Sequence, residues 1–295
     1  PICAPYRGYD VCGMGPPSSG AVAIGQILGM LQPFGLAALG PDDPTSWRLI
    51  GDATRLAFAD RERYLADSDF VSIPNGLLDP SYLTARSALL RRPTALHKDG
   101  VKAGEPPWDK AELRRDGMPI ELPSTSHFVI VDAAGNIASM TTSVENAFGA
   151  RLMVGGFLLN NQLTDFSFSP VEGGMNVANR VEPGKRPRSS MSPTIVLKDG
   201  RPAFALGSPG GSNIISYVAP TLIGLIDWRM PLPDAVAMPH LVNRFGVYDL
   251  EAETAAEGLA DDLKALNSGL QGVAWIDGDI MGAADPRREG VVRGD

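Results

Sequence analysis

A chain of 295 residues is long enough for one large domain or two small ones. With 44% hydrophobic and 20% charged residues it has the composition of a globular protein. A formal net charge of −8, with no dense Lys/Arg run, argues against a partner held through nucleic-acid phosphates, and no apolar run approaches the roughly 20 residues that a membrane-spanning helix needs.

The sequence opens at Pro1 with no initiator Met and no visible signal peptide, and reads as a processed or trimmed piece of something longer. Cys3 and Cys12 can close a small loop or stay reduced; without a CxxC pair they do not read as a zinc site. The first segment reads as mostly helical. Pro16-Pro17-Ser18-Ser19-Gly20 leads into an apolar run, Ala21 to Leu31. A second helix begins at Asp43, a cap, with Pro44 in its first position. Leu49, Ala53, Leu56 and Ala57 then recur at helical spacing. Ser81 to Leu90 is a third helix candidate. From Arg91 to Pro123 prolines, glycines and charges replace any apolar period, the pattern of an exposed, mobile and cuttable linker.

At Ser126 the period becomes two. His127 to Asp132 and Asn136 to Thr142 are strands joined by the turn Ala133-Ala134-Gly135. A three-residue loop there pairs Asp132 with Asn136, and continuing that register sets Thr125 opposite Ser143. Phe157-Leu158-Leu159 precedes a polar loop, Asn160 to Ser167. Thr194 to Leu197 and Ala203 to Leu206 form a second hairpin about Lys198-Asp199-Gly200. A helix from Ser212 to about Trp228 is expected to strain or kink at Pro220, and weaker helical signals cover 232–238 and 255–266. Helices, then strands, then helices again suggest antiparallel sheets covered by helices.

Three features carry chemistry. Thr125 sits where the linker meets the first core strand. Cleavage between Ser124 and Thr125 would give it a free α-amine, so that one residue supplies both nucleophile and base. The same Ser-Thr-Ser also serves as an ordinary loop-end turn. Gly207-Ser208-Pro209-Gly210-Gly211-Ser212 joins a strand to a helix, and its amides can hold an oxyanion. It can equally be a tight turn, and it lacks the GK[ST] ending of a nucleotide phosphate loop. The loop containing Gln162 and Asp165 suits an amino-acid head group, with Asp165 facing an ammonium, or is a turn stabilised by Asn side chains. Ser189 and Ser190 can donate to a carboxylate or simply end a loop. His97, His127 and His240 lack ligand spacing, so neither a metal nor another cofactor is expected.

Together these stretches resemble the γ-glutamyltranspeptidase family of N-terminal-nucleophile hydrolases, over essentially the whole chain. The matching motifs are Tyr6-Arg7-Gly8-Tyr9, Pro16 to Gly20, Leu158-Leu159-Asn160-Asn161-Gln162, Lys185-Arg186-Pro187, Ser189 to Thr194, Gly207 to Ser212 and Asp285-Pro286-Arg287. The resemblance implies an α+β fold, a four-layer αββα sandwich. It implies one domain, in which residues 1–124 are the end of a large-subunit region and residues 125–295 a small-subunit region, separated by self-cleavage between Ser124 and Thr125. It assigns Thr125 as nucleophile, Ser143 as its support, and Gly210 and Gly211 as the oxyanion hole. Ser189 and Ser190 fall at the substrate α-carboxylate, and Gln162 and Asp165 around its α-amine. Glu145 stands where many members have an asparagine near that amine. The implied partners are γ-glutamyl substrates such as glutathione, water or amino-acid and peptide acceptors, and an upstream large-subunit segment carrying an arginine for the α-carboxylate. Two alternatives remain: a glutaryl or cephalosporin acylase of the same mechanism, and a non-catalytic or unprocessed fragment. The stretch between Ser167 and Lys185 looks shorter than in members with a lid loop, which implies a more open site. Members are often periplasmic or secreted, although lidless ones need not be.

Overall fold

The computed structural model describes residues 1–96, 101–108, 114–116, 124–244, 246–252, 254–260 and 262–294. The chain begins with a hairpin, β1 (Ile2–Tyr6) and β2 (Tyr9–Gly13), not with the expected helix. Arg7 and Gly8 make its turn at positive φ, and Cys3 and Cys12, opposite each other across the pair, are disulfide-bonded. The chemistry of a two-residue turn between alternating strands was present in the sequence.

Helices follow: α1 (Gly20–Leu31), the short α2 (Leu36–Leu39), α3 (Pro44–Tyr64) and α4 (Pro80–Ser87). Asp43 caps α3 as expected, accepting from the Thr45 amide at 2.7 Å, and Asp79 does the same for α4. The third helix is therefore shorter than expected, its last turn tightening into a 3-10 turn over Ala88–Arg91.

The strands β3 (Ser124–Val131) and β4 (Ile137–Glu145) form the expected hairpin. Two short hairpins and loops intervene: β5 (Met153–Val154) with β6 (Phe157–Leu158), then β7 (Val171–Glu172) with β8 (Met175–Asn176). Next come β9 (Thr194–Lys198), β10 (Arg201–Gly207), α5 (Ile214–Ile226) and α6 (Leu232–Ala237). Helix α5 continues through Pro220. In place of a helix over 255–266 there is a 3-10 turn at Glu257–Leu259 and a small sheet, β11 (Leu241–Val242), β12 (Asp249–Leu250) and β13 (Asp262–Leu263). The weak periodicity there is overridden by strand pairing to a distant partner. A last hairpin, β14 (Gln271–Ile276) and β15 (Asp279–Ala284), turns at Asp277-Gly278.

The central layer is a six-stranded antiparallel sheet in the order β1-β2-β9-β10-β14-β15. Helices α1, α5 and α6 pack on its strands, with α3 and α4 against α1. Their shared core includes Ile24, Ile27, Leu28, Val196, Leu206, Ile215, Val218 and Leu222, all at most 1% exposed. The β3–β4 hairpin packs on β10 and β14. This is the α+β, αββα arrangement; the described residues supply a helical layer, the large sheet and the hairpin that begins the second sheet.

The linker is only partly as expected. Residues 97–100, 109–113 and 117–123, with His97 and Pro123, lie outside the described residues. The described remainder is packed rather than loose. The Pro107 carbonyl accepts from the Gly76 amide at 3.0 Å, Trp108 meets the Tyr64 ring edge-on at 5.7 Å, and buried Arg114 stacks over Trp108. Aromatic and cation–π contacts hold it where no apolar period announced burial.

Candidate active site

The register expected from the turn is the one found: Thr125 pairs with Ser143, although a bulge lies between Ser124 and Thr125, so that Ser124 pairs with Glu145. Alternation along β3 turns Thr125 and His127 inward, both 7% exposed, and leaves Phe128 and Ile130 outward. The Thr125 hydroxyl donates to Ser143 Oγ at 2.9 Å. Ser143 Oγ also accepts from the Glu145 amide at 2.8 Å and donates to the Ser124 carbonyl at 3.1 Å. One serine thus touches both the threonine hydroxyl and the carbonyl of the bond that precedes it.

Thr125 opens onto a narrow cleft that also involves Ser143, Glu145, Gln162, Asp165, Ser189, Ser190, Met191, Gly211 and Ile214. Eight of the ten sequence-predicted site residues therefore line this cleft, and Ser124 is bonded to Ser143 beside it. Gly210 lies directly behind Gly211 and is covered by the Tyr217 ring; a Cβ there would meet Tyr217 at 2.5 Å. Gly210 and Gly211 have φ of 141° and 57°, so glycine is required for the backbone to turn its amides into the 3-10 turn that starts α5. The cleft holds only about 20 Å³ of water-accessible space, room for a single water molecule. A much larger groove of about 830 Å³ lies elsewhere, beside Arg7, Tyr9, Lys198 and Trp228, and none of the described residues that line it is a Ser, Thr or Cys.

The cleft's walls come from distant parts of the chain. Glu145, at φ 72° and 2% exposed, receives the side-chain amide of Asn161. Gln162 donates to Asp165 within one 3-10 turn, and Asn179 ties the Asp165 carbonyl down at 2.7 Å. The Ser189–Ser190 segment is stitched to the Pro16–Gly20 motif: Ser19 donates through both its amide and its hydroxyl to the Ser189 carbonyl at 2.8 Å, and Ser18 Oγ donates to the Met191 carbonyl. Ser190 Oγ accepts from Arg61 at 2.5 Å. Sequence reading did not single out Arg61, Glu62 or Arg188; they are spread over a helix and a loop, and no spacing links them.

His127 bonds Thr141 Oγ1 at 2.8 Å and lies against Gly207. Burial pushes its pKa down to about 4, so the imidazole is neutral near pH 7. Among the described residues no group of three or more His, Cys, Asp or Glu side chains is placed to hold a metal.

The gamma-glutamyltranspeptidase family model matches residues 1–294. The chain belongs to the γ-glutamyltranspeptidase family. It is 35% identical over 320 residues to a glutathione hydrolase proenzyme of Bacillus subtilis, covering 100% of this chain and 52% of that one. It is 34% identical over 305 residues to the acylase ACY 1 proenzyme of a Pseudomonas strain, SE83, covering 98% of this chain and 51% of the relative. Among solved structures, a cephalosporin acylase from Bacillus halodurans superposes with a TM-score of 0.83 at 22% identity, over 99% of this chain and 52% of that chain. The chain thus spans about half the length of the curated relatives it matches. Its fold is that of the N-terminal-nucleophile hydrolases in this family.

Proposed function

We propose that this chain is the catalytic portion of a γ-glutamyl hydrolase or acyltransferase that matures by cutting itself between Ser124 and Thr125. The observation that carries the reading is the contact set Thr125 Oγ1–Ser143 Oγ–Ser124 O, at 2.9 and 3.1 Å, at the edge of a cleft walled by Gly211, Asp165 and Ser190. In maturation, Thr125 Oγ1 attacks the Ser124 carbonyl carbon, and the hydroxyl of Ser143 lies where it can stabilise the developing oxyanion. The acyl group shifts from nitrogen to oxygen, and water hydrolyses the ester. The products are a Ser124 carboxylate and a free Thr125 amine. Residues 1–124 then belong to a large-subunit region and residues 125–295 to a small subunit.

In turnover the same hydroxyl attacks a γ-glutamyl amide. The new α-amine takes the hydroxyl proton and returns it to the leaving amine. The amides of Gly210 and Gly211 hold the oxyanion. Water or an acceptor amine then discharges the acyl-enzyme. The donor's α-carboxylate lies at Ser189 and Ser190, and its ammonium at Gln162, Asp165 and Glu145. The nearly closed cleft fits a precursor that opens its substrate site only after the bond is cut.

A second reading, an acylase for glutaryl or cephalosporin side chains, draws on the acylase relatives. Against it stand the two carboxylates of Glu145 and Asp165 among the cleft-lining residues, which suit an ammonium that such a substrate lacks. Mass spectrometry of the full-length product tests maturation: two chains are expected, the second starting at Thr125. A single chain that persists under maturing conditions, or normal activity in Thr125→Ala, would overturn the reading. A preference for glutaryl over γ-glutamyl anilides would establish the acylase.

A further inference from the structure

Behind Ser190 lies a buried charge cluster that the catalytic scheme does not use. Arg61, in the last turn of α3, is 1% exposed. Its Nη2 donates to Ser190 Oγ at 2.5 Å, its Nε to Ser19 Oγ at 2.8 Å and its Nη1 to Glu62 Oε1 at 2.5 Å. The other oxygen of Glu62 accepts from Arg188 at 2.6 Å, and the fully buried Arg188 also donates to the Arg61 carbonyl at 2.9 Å. Such a buried triad is a poor means of gaining stability, because apolar residues of the same volume often serve as well. Its position behind a hydroxyl that lines the cleft gives it another use.

The same cleft is also lined by Glu145 and Asp165, 2% and 3% exposed. The cleft therefore carries a hydroxyl held by a guanidinium together with carboxylates. We propose that Arg61, seated on the Glu62–Arg188 pair, is a positioning residue that selects donors bearing a carboxylate on the head group and acts through Ser190. A guanidinium has donors only, so Ser190 Oγ accepts from it and the serine hydrogen points away from Arg61. A hydroxyl polarised by a cation is a stronger donor to a carboxylate than a neutral one. The proposal rests on the γ-glutamyl reading above and adds the residue that sets its head-group preference.

The test uses the full-length protein and three anilides. The γ-glutamyl donor carries both head-group charges, the glutaryl donor only the carboxylate, and the 4-aminobutyryl donor only the amine. Arg61→Met is expected to raise KM for the first two by about 10- to 30-fold with kcat changed less than about threefold, and to leave the third within about threefold. Equal losses on all three donors would reduce Arg61 to a structural role, and an unchanged KM for the carboxylate donors would remove it from specificity. Should Arg61→Met fail to fold, Arg61→Lys reads the same pattern: a loss of about threefold confined to the two carboxylate donors supports the proposal, and a loss shared by all three overturns it. If the wild type turns over none of the three, the parent reading fails instead. Calorimetric titration of glutarate and 4-aminobutyrate into the wild type and the Arg61 variant then decides the matter. Loss of glutarate affinity alone supports the role, and equal or no loss overturns it.

Discussion

The central sheet and the β3–β4 hairpin are both built from alternating strands, yet their outer faces end in different environments. On the large sheet, Val196 and Leu206 are fully buried beneath α1 and α5. On the hairpin, one face carries Thr125 and His127 into the protein, while Phe128, Ile130 and Met140 are 38%, 57% and 49% exposed on the other. The large sheet supplies stability through apolar burial, and the hairpin supplies the candidate nucleophile. Their seam is the cleft, with Thr125 and Ser143 from the hairpin facing Ser190 and Gly211 on loops attached to the large sheet. The candidate catalytic residues and the bulk of the apolar core are thus separate sets.

The sharpest way to break this separation is Thr125→Ala. It is expected to abolish self-cleavage and to lower turnover by about 10³-fold or more, while the melting temperature of the uncleaved chain moves by no more than about 4 °C. Mass spectrometry and calorimetry on one preparation read both effects. A collapse in stability would make Thr125 part of the scaffold after all.

Gly210→Ala crosses the seam from the other side. Its new Cβ would press on the Tyr217 ring at 2.5 Å at a φ that suits glycine, so both functions should suffer. We expect a loss in kcat of about 100-fold from displaced amides, with about 1–3 kcal/mol of destabilisation in urea unfolding.

Paired truncations sharpen the comparison. Leu222→Ala, in the sheet-facing core, is expected to cost about 2–5 kcal/mol. Ile130→Ala, on the outer face of the hairpin, is expected to cost about 0.5 kcal/mol or less. Denaturant unfolding of each distinguishes them. A large cost at Ile130 in the full-length protein would reveal that another part of that protein covers this face.

The mildest effect is in pH. The folded pKa of His127 is pushed down to about 4 by burial, and that of fully buried His240 to about 3, chiefly by burial and then by Arg287. Below their ordinary value of 6.5 the unfolded chain takes up protons that the folded chain refuses. Stability is therefore full above about pH 6.5 and falls progressively as pH drops toward 4. His127→Asn should flatten part of that slope in pH-dependent urea unfolding. An unchanged slope would mean that His127 does not contribute.

Much of this was legible in the residues themselves. Asp43-Pro44 announced α3, and the Gly135 turn carried the Thr125–Ser143 register with it, even though a bulge displaces Ser124. The Asp277-Gly278 turn held an equally local signal for β14 and β15, but no local signal could place that hairpin beside β10. The hairpin of β1 and β2 likewise had its turn in the local sequence, but its place in the sheet depends on β2 pairing with β9, far along the chain.

The residues by themselves determined where helices start, where hairpins turn and which hydroxyl faces which across β3 and β4, because caps, turns and pairing registers are settled within a few residues. Only the tertiary structure decided that Arg61 would lie against Ser190 and that Glu145 and Asp165 would line the same cleft. Those meetings come from the packing of whole helices, sheets and loops against one another, and packing depends on the summed shape of distant segments rather than on any spacing along the chain.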